Sequence, residues 1–145
     1  MTKPGRQSAN SQSTMSVGAL EAFLAAEFPQ AFHPESGLTI EEVSHGGSRV
    51  RQAYLPALLR PGGTISGPAM MALADFAMYV AVLASIGPVP LAVTTSLNIN
   101  FLRRPAPADL LAECRLLKLG KRLAVGEIAI RSSGGEDIVA HATST

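Results

Sequence analysis

Between Ser66 and Ser85 the chain reads SGPAMMALADFAMYVAVLAS, and Asp75 is the one carboxylate in it. A carboxylate among apolar neighbours is costly unless it finds donors, a cation or a proton, and a group held in that state is a candidate general base or nucleophile. On a helix its neighbours three and four positions away are Met71, Ala72, Met78 and Tyr79, none of them a cation. Nothing else between Pro61 and Leu102 carries a formal charge, so a partner must come from elsewhere in the fold or from another chain. A carboxylate that caps a neighbouring loop or pairs across an interface is the structural alternative, and the local sequence leaves both roles open.

The start of the same run offers the complementary chemistry. Ser66 suits a helix cap, Gly67 lets a ligand approach the backbone, and Pro68 suits the first turn. Free N–H groups at a helix N-terminus bind an oxyanion or a polarised carbonyl, although the same three residues also serve ordinary capping. Gly67 and Asp75 are eight positions apart, roughly 12 Å along a helix axis, too far to touch one reacting carbonyl. Two such helices lying antiparallel about a two-fold axis remove the difficulty, since Gly67 of one chain then faces Asp75 of the other. An active site of this kind requires a dimer.

Periodicity supplies the elements that hold these residues. Leu20, Phe23, Leu24 and Phe28 mark an amphipathic helix over Val17 to Phe28, closed by Pro29. The alternating segments LTIEEVSH and SRVRQAYL flank Gly46-Gly47 as a hairpin, and ALLRPGGT reads as a loop. The long apolar helix follows, from Ser66 or Gly67 to about Ser85. The period then changes to two: in LAVTTSLNINFL, Val93, Thr95, Leu97, Ile99 and Phe101 point one way, and Thr94, Ser96, Asn98 and Asn100 the other. LLAECRLLKL, RLAVGEIAIRS and IVAHATST complete an antiparallel meander with turns at Gly120-Lys121 and Gly134-Gly135. A helix apolar on all sides must be covered all round. The fold expected is α+β, one domain over residues 16–145, with a curved antiparallel sheet of five or six strands wrapped around one long central helix.

Whole-chain properties narrow the function. The 145 residues fit a single domain, and 12 Lys+Arg against 11 Asp+Glu form no long block, which disfavours nucleic acid or a membrane surface as partner. The apolar helix is almost long enough to span a bilayer, but an acid at its centre costs about 2.5–3.5 kcal/mol there, so no membrane span is expected. Residues 1–15 are polar, lack the apolar core of a secretory signal and read as a disordered lead, with a cytoplasmic location as the default. The lone Cys114 sits in a strand pattern and is expected to be a buried thiol. His33, His45 and His141 have no metal or triad spacing, and neither GxSxG, HExxH nor a phosphate-cradling glycine loop is present.

From about Leu38 to Thr145, the segments SGPAMMALADFAMYVAVL, LNINFLRRP and HATST resemble the hotdog-fold acyl-CoA thioesterases of the phenylacetate-pathway type. The resemblance implies a hotdog fold and makes Asp75 the general base or nucleophile on a thioester carbonyl. It makes Gly67 the backbone donor that polarises the carbonyl, and Thr94 the residue that orients the water or the carboxylate. It also implies a site shared between two subunits, in a homodimer or a dimer of dimers, and a reaction without metal or organic cofactor. Three positions depart from the family pattern: Ser66 stands for the usual His, Pro68 for the second Gly, and Arg60 for an Asn or Gln. Ser66 replaces a hydrogen bond but not an imidazole, and Arg60 suits a phosphate or carboxylate. The CoA phosphates need cations, for which Arg60, Arg103, Arg104, Lys118, Lys121 and Arg122 are the candidates. A non-catalytic acyl-CoA-binding protein on the same fold is the alternative. A hydratase fits less well, because its acid/base pair would have to recruit His45 or His141 from the sheet.

Overall fold

The computed structural model describes residues 13–145. Helix α1 covers Val17–Glu27 and is followed by strands β1 (Leu38–Ser44) and β2 (Gly47–Gln52). A single 3-10 turn at Pro56–Leu58 leads into the short strands β3 (Leu59–Arg60) and β4 (Thr64–Ile65). Helix α2 then runs over Gly67–Ile86, followed by β5 (Leu97–Phe101), β6 (Leu110–Leu119), β7 (Ala124–Ser132) and β8 (Ile138–Ser144). Six strands form one antiparallel sheet in the order β1-β2-β6-β7-β8-β5, and α2 lies on its inner face. The α+β arrangement of a curved sheet around one long helix is therefore the one expected.

The period-two pattern explains the sheet. Along β2, Ser48, Val50 and Gln52 are buried while Gly47, Arg49 and Arg51 face outward. Across β6 and β7, Ala112 faces Ile130 and Cys114 faces Ile128 on the buried side. Arg131 and Arg115 pair on the outer side with Glu113 and Glu127, both at 2.6 Å. Leu73, Val80 and Leu83 of α2 are fully buried against this layer, each contributing about 1.5–3 kcal/mol. Hydrogen bonds fix the helix lengthwise: Ser48 Oγ donates to Ala77 O at 2.8 Å, and Gly46 N donates to Ser85 Oγ at 2.7 Å. The helix has the length and hydropathy of a membrane span, yet most of it is buried as the core of this sheet.

Three expectations are corrected. α2 packs mainly on β2, β6 and β7 and only sparsely on β8 and β5, so it is not covered all round. Pro68, Met71, Ala72, Asp75 and Ile86 form an exposed stripe, with Tyr79 and Val82 half-buried within it. The segment ALLRPGGT is not only a loop: Gly62 and Gly63, with φ of 108° and 82°, turn β3 back on β4. The strand expected from Leu91 begins only at Leu97, and Thr94 points not with Asn98 and Asn100 but back toward α2. Pro88 and Pro90 keep the preceding chain out of the ladder, which frees Thr94 to turn. Residues 1–12 of the expected lead lie outside the described residues. Thr14 is tied to the end of α2, its N–H donating to Ala84 O at 2.5 Å and its hydroxyl to Ser85 O at 2.9 Å.

Candidate active site

The N-terminus of α2 is reduced to a single free donor by its own sequence. Of the four leading N–H positions, Pro68 has none, Ala69 donates to Ser66 Oγ at 3.3 Å, and Met70 donates to Ser66 O at 3.1 Å. Gly67 N–H has no acceptor among the described residues. Ser66 is thereby placed as the cap. Space at position 67 is tight: a Cβ there would lie 3.3 Å from Phe101 Cζ, so the ring would have to shift by a few tenths of an ångström.

Asp75 lies about two turns further along, on the exposed stripe. Thr94 Oγ1 donates to its Oδ1 at 2.5 Å, the length of a charge-assisted O–H···O⁻ bond. No described cation pairs with Asp75, so the carboxylate is satisfied on one oxygen and open on the other. The chain that carries Thr94 is held along the helix by Tyr79, whose hydroxyl donates to Pro90 O at 3.3 Å. Burial, with Glu27 adding to it, pushes the Tyr79 phenol up, so it remains a neutral donor. Thr94 and Asp75 are thus brought together as the sequence suggested, while Gly67 stays at the far end of the same helix segment.

Beside Gly67 opens a cleft of about 400 Å³. Arg60, Arg103 and Arg104 line it, together with Thr64, Met70 and Phe101. Two of the arginines are anchored on backbone carbonyls: Arg103 Nη1 donates to Ile138 O at 2.6 Å, and Arg104 Nη2 to Gly62 O at 2.8 Å. Lys118, Lys121 and Arg122 do not join them; they lie at the β6–β7 turn, at the opposite end of the sheet. Thr64 and Phe101 were not singled out as site residues from the sequence. Phe101 was legible as a β5 position on the same face as Leu97 and Ile99, but Thr64 gave no signal, because its place depends on the β3–β4 turn. Cys114 is buried with Sγ 3.8 Å from Met78 Sδ, and burial, with Glu127 adding to it, pushes its thiol up to about 12. It is remote from the cleft.

The family model of the thioesterase superfamily matches residues 62–139, from the β3–β4 turn into β8. The chain belongs to this superfamily. A protein of Saccharolobus solfataricus, provisionally named an esterase, is 31% identical over 75% of this chain and 71% of its own length. A similarly named Halobacterium salinarum protein is 33% identical, and the match spans 65% of each chain. Among solved structures, one from Silicibacter sp. TM1040, provisionally named a thioesterase, has a TM-score of 0.82 and 40% identity, covering 93% of this chain and 92% of that one. The phenylacetic acid degradation protein PaaI of Thermus thermophilus has a TM-score of 0.65 and 27% identity, covering 85% and 95%. The hotdog thioesterase fold and a hydrolytic role on thioesters follow for this member of the superfamily.

Proposed function

We propose that this thioesterase-superfamily protein hydrolyses acyl-CoA thioesters at a site assembled by two copies of the chain. The observation that carries the proposal is the combination of a free Gly67 N–H at the start of α2 with an open, Thr94-held Asp75 on the exposed stripe of the same helix. Neither group alone suffices, and their separation of roughly 12 Å prevents them from meeting on one chain. The surface around them is suited to a second copy. Leu91 and Val93 are 89% and 79% exposed beside Asp75, and β5 is an unpaired sheet edge with no charge and no proline. A two-fold axis there sets α2 against its mate in the antiparallel sense that the distance requires.

In the proposed reaction the thioester carbonyl accepts from Gly67 N–H of one subunit. Asp75 of the other subunit, held through Oδ1 by Thr94, takes a proton from water through Oδ2 as the water oxygen bonds to the carbonyl carbon. The resulting oxyanion is stabilised by Gly67 and by the positive end of α2. Collapse breaks the C–S bond, and the CoA thiolate leaves with the electron pair and takes up the proton held by Asp75. A thiol with an ordinary pKa of about 8.5 is a good leaving group, so a single acid/base residue suffices. Arg103 and Arg104, fixed at the cleft rim, are assigned to the CoA phosphates. Lys118, Lys121 and Arg122 contribute only where the two-fold brings the far end of the mate toward the cleft. No metal or organic cofactor enters the scheme.

The test is thiol release from a panel of short, medium, long and aryl acyl-CoAs, with wild type and Asp75→Asn compared across protein concentration. The expected result is turnover that is lost in Asp75→Asn and falls as the dimer dissociates. Full activity of Asp75→Asn on every substrate would overturn the assignment. Tight binding without turnover would favour a non-catalytic acyl-CoA-binding protein.

A further inference from the structure

Arg49, Arg51, Arg115 and Arg131 on the outer face of the sheet each pair with a carboxylate. Arg60, Arg103 and Arg104 around the cleft have no such partner among the described residues. Arg103 and Arg104 are at least anchored on carbonyls, but the Arg60 guanidinium donates to no described acceptor. Directly across the β3–β4 ladder from Arg60 stands Thr64, also a lining residue of the cleft. It is only 3% exposed, and its Oγ1 has no hydrogen-bond partner. A buried hydroxyl without a protein partner is a donor available to a bound group. The cleft therefore combines a free guanidinium, an unpartnered hydroxyl and the positive end of α2, set between the apolar side chains of Ile65, Met70 and Phe101.

We infer that the cleft selects an acyl group carrying its own anion, a carboxylate at the end of a short apolar chain, held by Arg60 and Thr64. The half-thioester of a dicarboxylic acid is the substrate class. This deepens the acyl-CoA hydrolysis proposed above and rests on it for the thioester. A carboxylate accepts from both a guanidinium fork and a hydroxyl, and the methylenes match the apolar walls. The CoA phosphates are bulkier and fit the exposed rim at Arg103 and Arg104; only the narrow acyl end reaches the buried Thr64. Thr64 lies three residues before Gly67, so the two are separated by at most about 10 Å of chain, which limits the acyl group to a short one.

Two arms test this. In the first, kcat/KM is measured by thiol release for succinyl-, glutaryl- and adipyl-CoA against butyryl-, valeryl- and hexanoyl-CoA, in wild type, Arg60→Gln and Thr64→Val. The expected result is at least a tenfold preference for the dicarboxylic series in wild type, reduced at least tenfold by Arg60→Gln and several-fold by Thr64→Val. Equal or better turnover of the monocarboxylic series overturns the inference. So does an Arg60→Gln effect of the same size on both series, which would place Arg60 on the CoA phosphates. In the second arm, glutaryl and valeryl thioether analogues of CoA and free CoA are titrated calorimetrically into the wild-type protein. Tighter binding of the glutaryl analogue, lost in Arg60→Gln while free CoA affinity is kept, supports the anion pocket even when no acyl-CoA is hydrolysed. In that case hydrolysis fails and the pocket stands. Equal affinities for the two analogues overturn the pocket whether or not hydrolysis is seen.

Discussion

The Thr94–Asp75 contact allows a quantitative test of how the carboxylate is used. Thr94→Val keeps the side-chain shape and removes the hydroxyl that donates to Asp75 Oδ1 at 2.5 Å. A hydrogen bond to a charged group contributes about 1.5–3 kcal/mol. Both residues are exposed on the single chain, so the low end applies. At about 1.36 kcal/mol per tenfold in rate, Thr94→Val is expected to lower kcat about tenfold. Asp75→Ala removes the acid/base group itself and is expected to cost about 10²–10⁴-fold. If Thr94 acts only by holding Asp75, the double variant is as slow as Asp75→Ala, within about twofold, because Thr94 then has nothing to hold. Stability should fall by no more than about 1.5 kcal/mol, the worth of that hydrogen bond, since neither side chain belongs to the core. The assay is kcat by thiol release together with a thermal melt of each variant. A full tenfold loss from Thr94→Val in the Asp75→Ala background would show that Thr94 does something other than position the carboxylate. An Asp75→Ala enzyme within threefold of wild type would remove Asp75 from the chemistry.

Three further outcomes are expected. Leu91→Asp, which touches no core residue of the single chain, should yield a folded monomer by circular dichroism and sedimentation velocity, with kcat at least about tenfold down; an active monomer would detach the chemistry from a second subunit. Cys114, with its thiol raised to about 12, is about 10⁻⁴ ionised at pH 8, against about a quarter for an ordinary thiol. Its reaction with a disulfide reagent should thus be at least about 10³-fold slower in the native protein than in guanidinium, followed by absorbance; equal rates would mean that the β6–α2 contact opens readily. Glu41 is held below the ordinary carboxylate range, chiefly by the hydrogen bond from Arg51, with attraction to Arg51 and Arg49 adding and burial opposing. A depressed folded pKa stabilises above the unfolded value of about 4.3 and is lost as pH falls through the folded one. The difference in Tm between wild type and Glu41→Gln should therefore be full near neutrality and shrink as pH falls below the unfolded value; a difference that does not change with pH would show that the Arg51 contact is not electrostatic.

Most of the sheet was legible because its signal is local. Leu110–Leu116 alternates inward and outward residue by residue before a bulge between Leu116 and Lys118, and the observed β6 has the bounds that the sequence pattern suggests. The β3–β4 hairpin was not legible, since two-residue strands have no period to read; only Gly62 and Gly63 mark it, and glycines mark loops equally well. Thr94 was assigned the wrong face for a related reason. Strict alternation from Leu91 to Leu102 assumes that every residue is in the ladder, but the chain joins β8 only from Thr95 and Ser96, which bond to Thr145, and one break resets the faces of everything before it.

Hydropathy also misstated how α2 is covered, and the error bears on function. Composition records that a surface is apolar, not which partner removes it from water. Leu73, Val80 and Leu83 are buried by this chain's own sheet, whereas Met71, Ala72 and Ile86 remain exposed. In the sequence the two sets look alike. Asp75 lies on the second set, so its surroundings are completed by whatever covers that stripe. An acid among apolar residues reads as a core group to be neutralised or paired. In the proposed dimer it is instead a group whose environment forms only on assembly, held by Thr94 beforehand and closed off from water afterwards. On the proposed dimer, the apolar sequence around Asp75 both recruits the second chain and excludes water from the reaction. That is why substitutions such as Leu91→Asp, well outside any contact with substrate, are expected to act on kcat.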